Sequence, residues 1–280
     1  MEISFDPIAL RKIIKRALEE DIGNGDITTD SIVGVEEEVC ALIHAGEPGV
    51  VAGLPVAGAV FNMLDPNIAF SCHFSDGQRV EQGQLLASVR GSGRCILKGE
   101  RVALNFIQRL SGIATQTSKL VNNIIQYKAK IVDTRKTTPG LRILEKYAVR
   151  TGGGLNHRFG LYDAVLIKDN HLKVAGSIKR AVELVKASAP FTMKIEVEVE
   201  DLAGVGEALL AGVDIIMLDN MSIQEMSKAV ELVAGKVLLE ASGGITEQTV
   251  VAVAQTGVDL ISVGYLTHSV RALDIGMEIT

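Results

Sequence analysis

Hydrophobic and polar positions follow two different periods along this chain. Residues 7–20 repeat apolar side chains at helical spacing on a polar background, which predicts an amphipathic helix ending at the turn-forming run Gly23-Asn24-Gly25-Asp26. Short strand-like pieces follow, notably residues 39–44 and 84–90, so the first part reads as α+β. Beyond about residue 110, β-rich runs recur at 130–135, 164–169, 194–200, 214–219, 237–242 and 259–264, with helical segments between them. A repeat of roughly 20 to 30 residues is one strand plus one covering helix, and alternating β and α predicts parallel strands. Ser222 followed by Glu225 forms a capping box ahead of a helix at 223–233. The expectation is an α/β chain in two domains: residues 1–110, with the tail 269–280 packed with them, and a parallel α/β barrel over 111–268. A barrel is favoured over an open doubly wound sheet because no G-x-G-x-x-G or G-x-x-x-x-G-K-[ST] opens any of the helices.

In such a barrel the chemistry collects where strands end at their carboxyl side. The ends here carry Arg135-Lys136, Lys168-Asp169-Asn170, Glu198 and Glu200, Asp219-Asn220, Glu240 with Ser242, and Ser262 with Gly264. One terminal charge is an ordinary solvated loop, but a functional group at every end points to a site. Alternation along 194–200 puts Lys194, Glu196, Glu198 and Glu200 on one face and Ile195, Val197 and Val199 on the other. The apolar face must meet the helices, so the charged face should point inward, where an unpaired carboxylate is costly. These acids are therefore expected to line a cavity holding cations, a metal or sugar hydroxyls.

The cations come earlier: Arg135, Lys136, Arg142, His157, Arg158 and Lys168, beside Thr137-Thr138-Pro139-Gly140 and Gly152-Gly153-Gly154. Arginine forks and lysine point charges together suit a substrate with several negative groups. The glycine turns Ser242-Gly243-Gly244 and Ser262-Val263-Gly264 follow the last two strands, where backbone N–H groups can meet a phosphate. His157, His171 and Asp169 lack the spacing of a zinc site, whereas acids near phosphate suit Mg²⁺.

Composition narrows the classes. The 280 residues carry 28 Lys+Arg against 34 Asp+Glu, a net charge of −6, with 4% aromatics and no Trp. That is the wrong sign for a general polyanion binder and too few rings for a nucleic-acid stacking platform, so any anion must be held in a local pocket. Cys40, Cys72 and Cys95 are odd in number and never at C-x-x-C spacing, which fits reduced thiols in a cytoplasm. The opening Met1-Glu2-Ile3-Ser4 lacks the cationic start of a signal peptide, and the charge-free stretch 48–64 is broken by Pro and Gly, so no membrane span is expected. Residues 76–86 resemble a hairpin of biotinyl and lipoyl carriers, but no lysine sits at the tip of a second hairpin, leaving a small sheet as the reading.

Several long motifs carry a family resemblance. Thr134-Arg135-Lys136-Thr137-Thr138-Pro139-Gly140-Leu141-Arg142, Glu145-Lys146-Tyr147-Ala148-Val149, Gly152-Gly153-Gly154-Leu155-Asn156-His157-Arg158 and Lys168-Asp169-Asn170-His171 resemble the quinolinate phosphoribosyltransferases. The likeness extends from Glu20-Asp21-Ile22-Gly23-Asn24-Gly25-Asp26-Ile27-Thr28-Thr29 through Glu100-Arg101-Val102-Ala103-Leu104-Asn105 to the closing glycine turns.

The resemblance implies an N-terminal α+β open-faced sandwich and an incomplete, seven-stranded parallel α/β barrel. It implies a homodimer, with room for a higher oligomer of dimers, in which one subunit's first domain caps the other's barrel. It further implies transfer of phosphoribosyl from 5-phosphoribosyl 1-pyrophosphate to quinolinate with Mg²⁺, giving nicotinate mononucleotide, pyrophosphate and CO₂ in NAD biosynthesis. By motif, Thr134, Arg135, His157, Arg158 and Lys168 would hold quinolinate, with Arg101 entering from the partner subunit. Lys136, Glu198, Asp219, Ser242, Gly243, Gly244, Val263 and Gly264 would take phosphoribosyl pyrophosphate, and Glu198 and Asp219 the metal. Lys136, Lys168, Glu198 and Asp219 would be the catalytic set. A relative linked to molybdenum transport operons shares the architecture, and the intact 137–142 run weighs against it. A barrel aldolase with Lys168 as Schiff base would leave the clustered cations and the phosphate turns unexplained.

Overall fold

The structure is a computed structural model that describes residues 6–280; the Met1-Glu2-Ile3-Ser4 opening lies outside the described residues. Twelve strands are numbered in chain order. They are β1 (Glu38–Ala45), β2 (Gly49–Val50), β3 (Ala69–Cys72), β4 (Arg79–Val80), β5 (Leu85–Ser92), β6 (Lys130–Val132), β7 (Val165–Ile167), β8 (Ile195–Val199), β9 (Ile215–Asp219), β10 (Leu238–Ser242), β11 (Leu260–Ser262) and β12 (Ile275–Ile279).

The first compact unit comprises Met1–Ser118, Thr137–Gly153 and His268–Thr280. Its main sheet is antiparallel, in the order β12-β1-β5-β3. Alternation on β1 buries Ala41, Ile43 and Ala45 while the residues between them stay partly exposed, the pattern of a sheet covered on one face. The cover includes helices Leu54–Leu64 and Gly93–Asn123: Phe61 stacks on Phe70 of β3, and a side chain at Gly99 would run into Phe61 and Leu64. The first helix, Pro7–Ile22, starts at Asp6, whose carboxylate accepts the Ile8 N–H, and buries Ile14 and Leu18, one helical turn apart.

The carrier-like segment is structural. Asp76 accepts the N–H groups of Gly53 and Leu54 at 2.6 and 3.1 Å, capping Leu54–Leu64, and takes the Tyr147 hydroxyl at 2.5 Å. Burial pushes the Asp76 carboxyl up, against those three donors. Compactness does not follow a single cut near residue 110. Helix Gly93–Asn123 runs unbroken across that position, and Glu145, on helix Arg142–Thr151, is buried where the Arg109 guanidinium and the Thr138 N–H reach it.

The second unit comprises Lys119–Lys136 and Gly154–Thr267. Its six strands are parallel in the order β6-β11-β10-β9-β8-β7, and helices separate successive strands from β7 to β11. The expected seventh strand is reduced to one bridge: Leu155 pairs with Val132 of β6, its N–H donating to Ile131. The sheet is open between that segment and β7. Helix Ile223–Val233 begins at the expected capping box, with the Ser222 N–H donating to Glu225 at 2.9 Å and the Glu225 N–H to Ser222 at 3.3 Å. Among the described residues no helix is long and apolar enough to cross a membrane.

Candidate active site

The carboxyl ends of β6 to β11 surround a cavity of about 530 Å³, in the size range of small-molecule sites. Thr134, Arg135, Lys136, His157, Arg158, Lys168, Glu198, Asp219, Ser242, Gly243 and Gly244 line it, as do Leu166, Met217, Asn220, Glu240 and Ser262. The backbone explains how the cations arrive there. Strand β6 stops at Val132, and the buried Asp133 then holds the neighbouring segment, accepting the Asn156 side-chain amide at 2.6 Å and the His157 N–H at 2.9 Å. This fixes His157 and Arg158 although their segment pairs with β6 through one residue only.

Two guanidiniums then share a corner. Arg158 is lowered from the ordinary arginine range by burial first and by the nearby Arg135 charge second, while Glu196 raises it again. Its Nη1 donates to the Ala164 carbonyl at 3.0 Å, which leaves the planar fork held in one orientation. Lys168 closes the other side, with Nζ 2.5 Å from Glu198 Oε2.

The β8 alternation is realised at the middle of the strand. Glu196 is buried and Glu198 half-buried at the cavity, while Lys194 and Glu200 at its ends are exposed. Asp219 is set by its neighbour: the Asn220 side-chain amide donates to it at 2.8 Å, and the Asn220 N–H donates to Ser242 at 2.9 Å. Asn220 adopts φ 55°, and Gly243 beside it adopts φ 97°. A Cβ at Gly243 would lie 2.1 Å from Asn220 Oδ1 and 2.9 Å from its backbone N, so only glycine fits.

Other candidates fall outside the cavity. Val263 is buried and its N–H donates to the Val132 carbonyl at 3.0 Å, so that amide holds the sheet together; neither Val263 nor Gly264 lines the cavity. Arg142 belongs to the first unit, where its Nε donates to Thr137 at 2.9 Å, and Arg101 is an exposed residue of helix Gly93–Asn123. The His157, His171 and Asp169 trio does not form. His171 Nδ1 accepts the Lys168 N–H at 2.9 Å as a helix cap, and Asp169 pairs with Lys173 at 2.7 Å. The group of His, Asp or Glu side chains that does converge is His157, Glu196 and Glu240. Glu240 escapes motif reasoning because it is the single acid of an otherwise apolar run, Val237 to Ala241.

Cations on the first strands, acids on the middle ones and a glycine turn after β10 define an α/β-barrel enzyme for a substrate with several anionic groups. Residues 26–111 match the N-terminal domain and residues 113–278 the C-terminal domain of quinolinate phosphoribosyl transferase, and the chain belongs to that family. It is 46% identical over 273 residues to the probable nicotinate-nucleotide pyrophosphorylase [carboxylating] of Bacillus subtilis, covering 98% of this chain and 94% of that one. It is 44% identical over 286 residues to the Mycobacterium leprae enzyme of that name, covering 99% of each. Among solved structures, NadC from Streptococcus pyogenes superposes with a TM-score of 0.96 at 44% identity, over 100% of this chain and 99% of the other.

Proposed function

We propose that the protein transfers the phosphoribosyl group of 5-phosphoribosyl 1-pyrophosphate to the ring nitrogen of quinolinate, releasing pyrophosphate and CO₂ and leaving nicotinate mononucleotide for NAD biosynthesis. The observation that carries the reading is the convergence in one cavity of Arg135, Arg158, Lys136 and Lys168 with Glu198, Asp219 and the Ser242-Gly243-Gly244 turn. Arg135 and Arg158 hold the two carboxylates with Thr134 and His157 beside them, and Lys168 lies next to the ring. Lys136 meets the pyrophosphate. The turn after β10 receives the 5′-phosphate, and Glu198 and Asp219 take the ribose hydroxyls.

The departing pyrophosphate gives the ribose carbon oxocarbenium character. The site therefore has to neutralise the leaving group and hold the pyridine nitrogen in line, which are the tasks of lysines and of a fixed arginine fork. The pyridinium formed draws the electron pair of the C2–carboxylate bond as CO₂ departs, so no nucleophilic side chain is needed. Glu198 and Asp219 are hard oxygen donors at adjacent strand ends, a set that suits Mg²⁺ shared with substrate phosphates. Bound there, Mg²⁺ supplies positive charge to the leaving group.

The proposal includes a cytoplasmic homodimer in which Arg101 of one subunit completes the partner's site. Mixed Arg101→Ala and Arg135→Ala chains should recover activity towards about a quarter of wild type once exchange is shown, because half the dimers then hold one intact site of two. A verified heterodimer without activity would put Arg101 elsewhere. The direct test of the reaction is incubation with quinolinate, phosphoribosyl pyrophosphate and Mg²⁺. CO₂ should be released with quinolinate, and nicotinate, which lacks the second carboxylate, should be a very poor acceptor. Equal turnover of both acids would overturn the reading.

A further inference from the structure

Beneath the cavity rim lies a second layer of charge that the reaction as described does not use. Glu196 and Glu240 are 3% and 1% exposed, and Glu196 Oε1 and both Glu240 oxygens meet no hydrogen-bond partner. His157 Nε2 is 2.9 Å from Glu196 Oε2 and 3.6 Å from Glu240 Oε2, and one donor atom from each of the three residues lies within 4.8 Å of the others.

This trio looks like a metal ligand set, but the imidazole argues otherwise. A metal on Nε2 needs the ring proton on Nδ1, and Nδ1 accepts the Arg158 N–H at 2.8 Å. The hydrogen bonds therefore put the ring's proton on Nε2, where it is donated to Glu196. A neutral ring leaves two carboxylates face to face in a dry interior, and two such groups cannot both ionise. Glu196 has the closer Nε2–H and the Arg158 charge to stabilise it, so the remaining proton belongs to Glu240.

We propose that Glu240 works as a neutral carboxylic acid beneath the cavity, a positioning residue that leaves Glu196 as the one buried counter-charge to Arg135 and Arg158 and keeps that arginine pair open to a dicarboxylate substrate. An ionised Glu240 would add a second internal anion competing with the substrate for the same two guanidiniums. The groups facing Glu240 agree with this. Burial and then the Glu196 charge push its carboxyl up to about 8, His157 and Ser262 pull it down, and Asp133 adds to the rise. The inference rests on the reading of Arg135 and Arg158 as quinolinate anchors.

The test compares wild type with Glu240→Gln, whose amide copies the neutral acid in shape. Calorimetric titration with quinolinate at pH 7 should give dissociation constants within about threefold of each other. Above pH 8 the wild-type constant should rise by up to roughly tenfold per pH unit, as the competent protonated form is depleted, and the Glu240→Gln constant should stay flat. Parallel profiles for the two proteins would overturn the inference, as would a folded Glu240→Gln protein that loses quinolinate binding at pH 7. Should the variant not fold, wild type alone decides: titration at pH 8.5 in buffers of different ionisation enthalpy should show proton uptake that is absent at pH 6.5, and equal values at both would overturn it. An Arg158→Ala control separates the two readings. If it binds quinolinate normally, the anchor assignment fails; if it loses binding while wild type and Glu240→Gln run parallel, only the Glu240 inference fails.

Discussion

The two ends of the second unit's barrel use the same acidic residue types for opposite purposes. At the amino ends of the strands, Asp214 accepts the Ile195 N–H at 2.9 Å and the Lys194 ammonium at 2.7 Å, and Asp259 accepts the Leu239 N–H and the Lys128 ammonium, each at 2.9 Å. Each acid ties its own strand to the next. At the carboxyl ends, Glu198 and Asp219 face a cavity, and Glu240 finds no hydrogen-bond partner for either oxygen. Acids at one end are satisfied by the fold; acids at the other are left for something outside it. That division is the one expected of a barrel whose loops at the carboxyl face carry the chemistry.

The contrast breaks most visibly at the arginine corner. Arg158→Ala should lower kcat/KM for quinolinate by about 2–5 kcal/mol, since it removes a carboxylate anchor from a desolvated pocket, and Tm should change much less. Steady-state kinetics beside a thermal melt checks this. A variant that loses stability but keeps its kcat/KM would move Arg158 from the substrate to the scaffold.

Much of this division could be read from the chain, and the exceptions have physical causes. Period-2 alternation on 194–200 locates Glu196 and Glu198 inside because charge and branched side chains cannot share a face there. The same rule fails for Glu240, since an almost wholly apolar strand has no periodicity to show which side its one acid takes. Leu155 pairs at a single residue, too short for any pattern, so the seventh strand survives only as a bridge. Val263 was expected at the phosphate because its turn is glycine-rich, yet a sheet hydrogen bond claims its N–H first. The state of His157 depends on a bond to the next residue's own amide, a feature of backbone conformation rather than of residue order.

A second difference concerns how stability depends on pH. Glu240 is raised in the folded chain to about 8 by burial and by Glu196, so the stability linked to its protonated form is complete below the unfolded value of 4.5 and is lost as pH rises towards 8. Glu240→Gln has no such loss. Its Tm should exceed that of wild type by a margin that widens from pH 5 to pH 8 and then levels, at about 2–4 °C for each kcal/mol recovered. A margin independent of pH would mean that Glu240 is ionised throughout.

The smallest effect is expected at the amino end, and it has the opposite sign. Partial burial tends to raise Asp214, but the hydrogen bonds from Lys194 and the Ile195 amide, with the Lys194 and Lys186 charges, outweigh it and hold the carboxyl below the usual range. A lowered carboxylate contributes stability above its unfolded value of 3.8 and loses it as pH falls through the lower folded value. Asp214→Asn keeps one oxygen for the Ile195 amide and removes the charge, so it isolates the ionic part. Because the Asp214 side chain is 35% exposed and its Lys194 partner 70%, solvent screens most of that part, and the loss at pH 7 should stay below about 1 kcal/mol. Quinolinate turnover should be unchanged, since this pair touches nothing at the cavity. Melts of wild type and Asp214→Asn should therefore run slightly apart near neutrality and converge below pH 4, where both lack the charge. A substantial fall in kcat/KM for Asp214→Asn would mean that the two ends of the barrel are coupled, and the separation of scaffold acids from site acids would not hold.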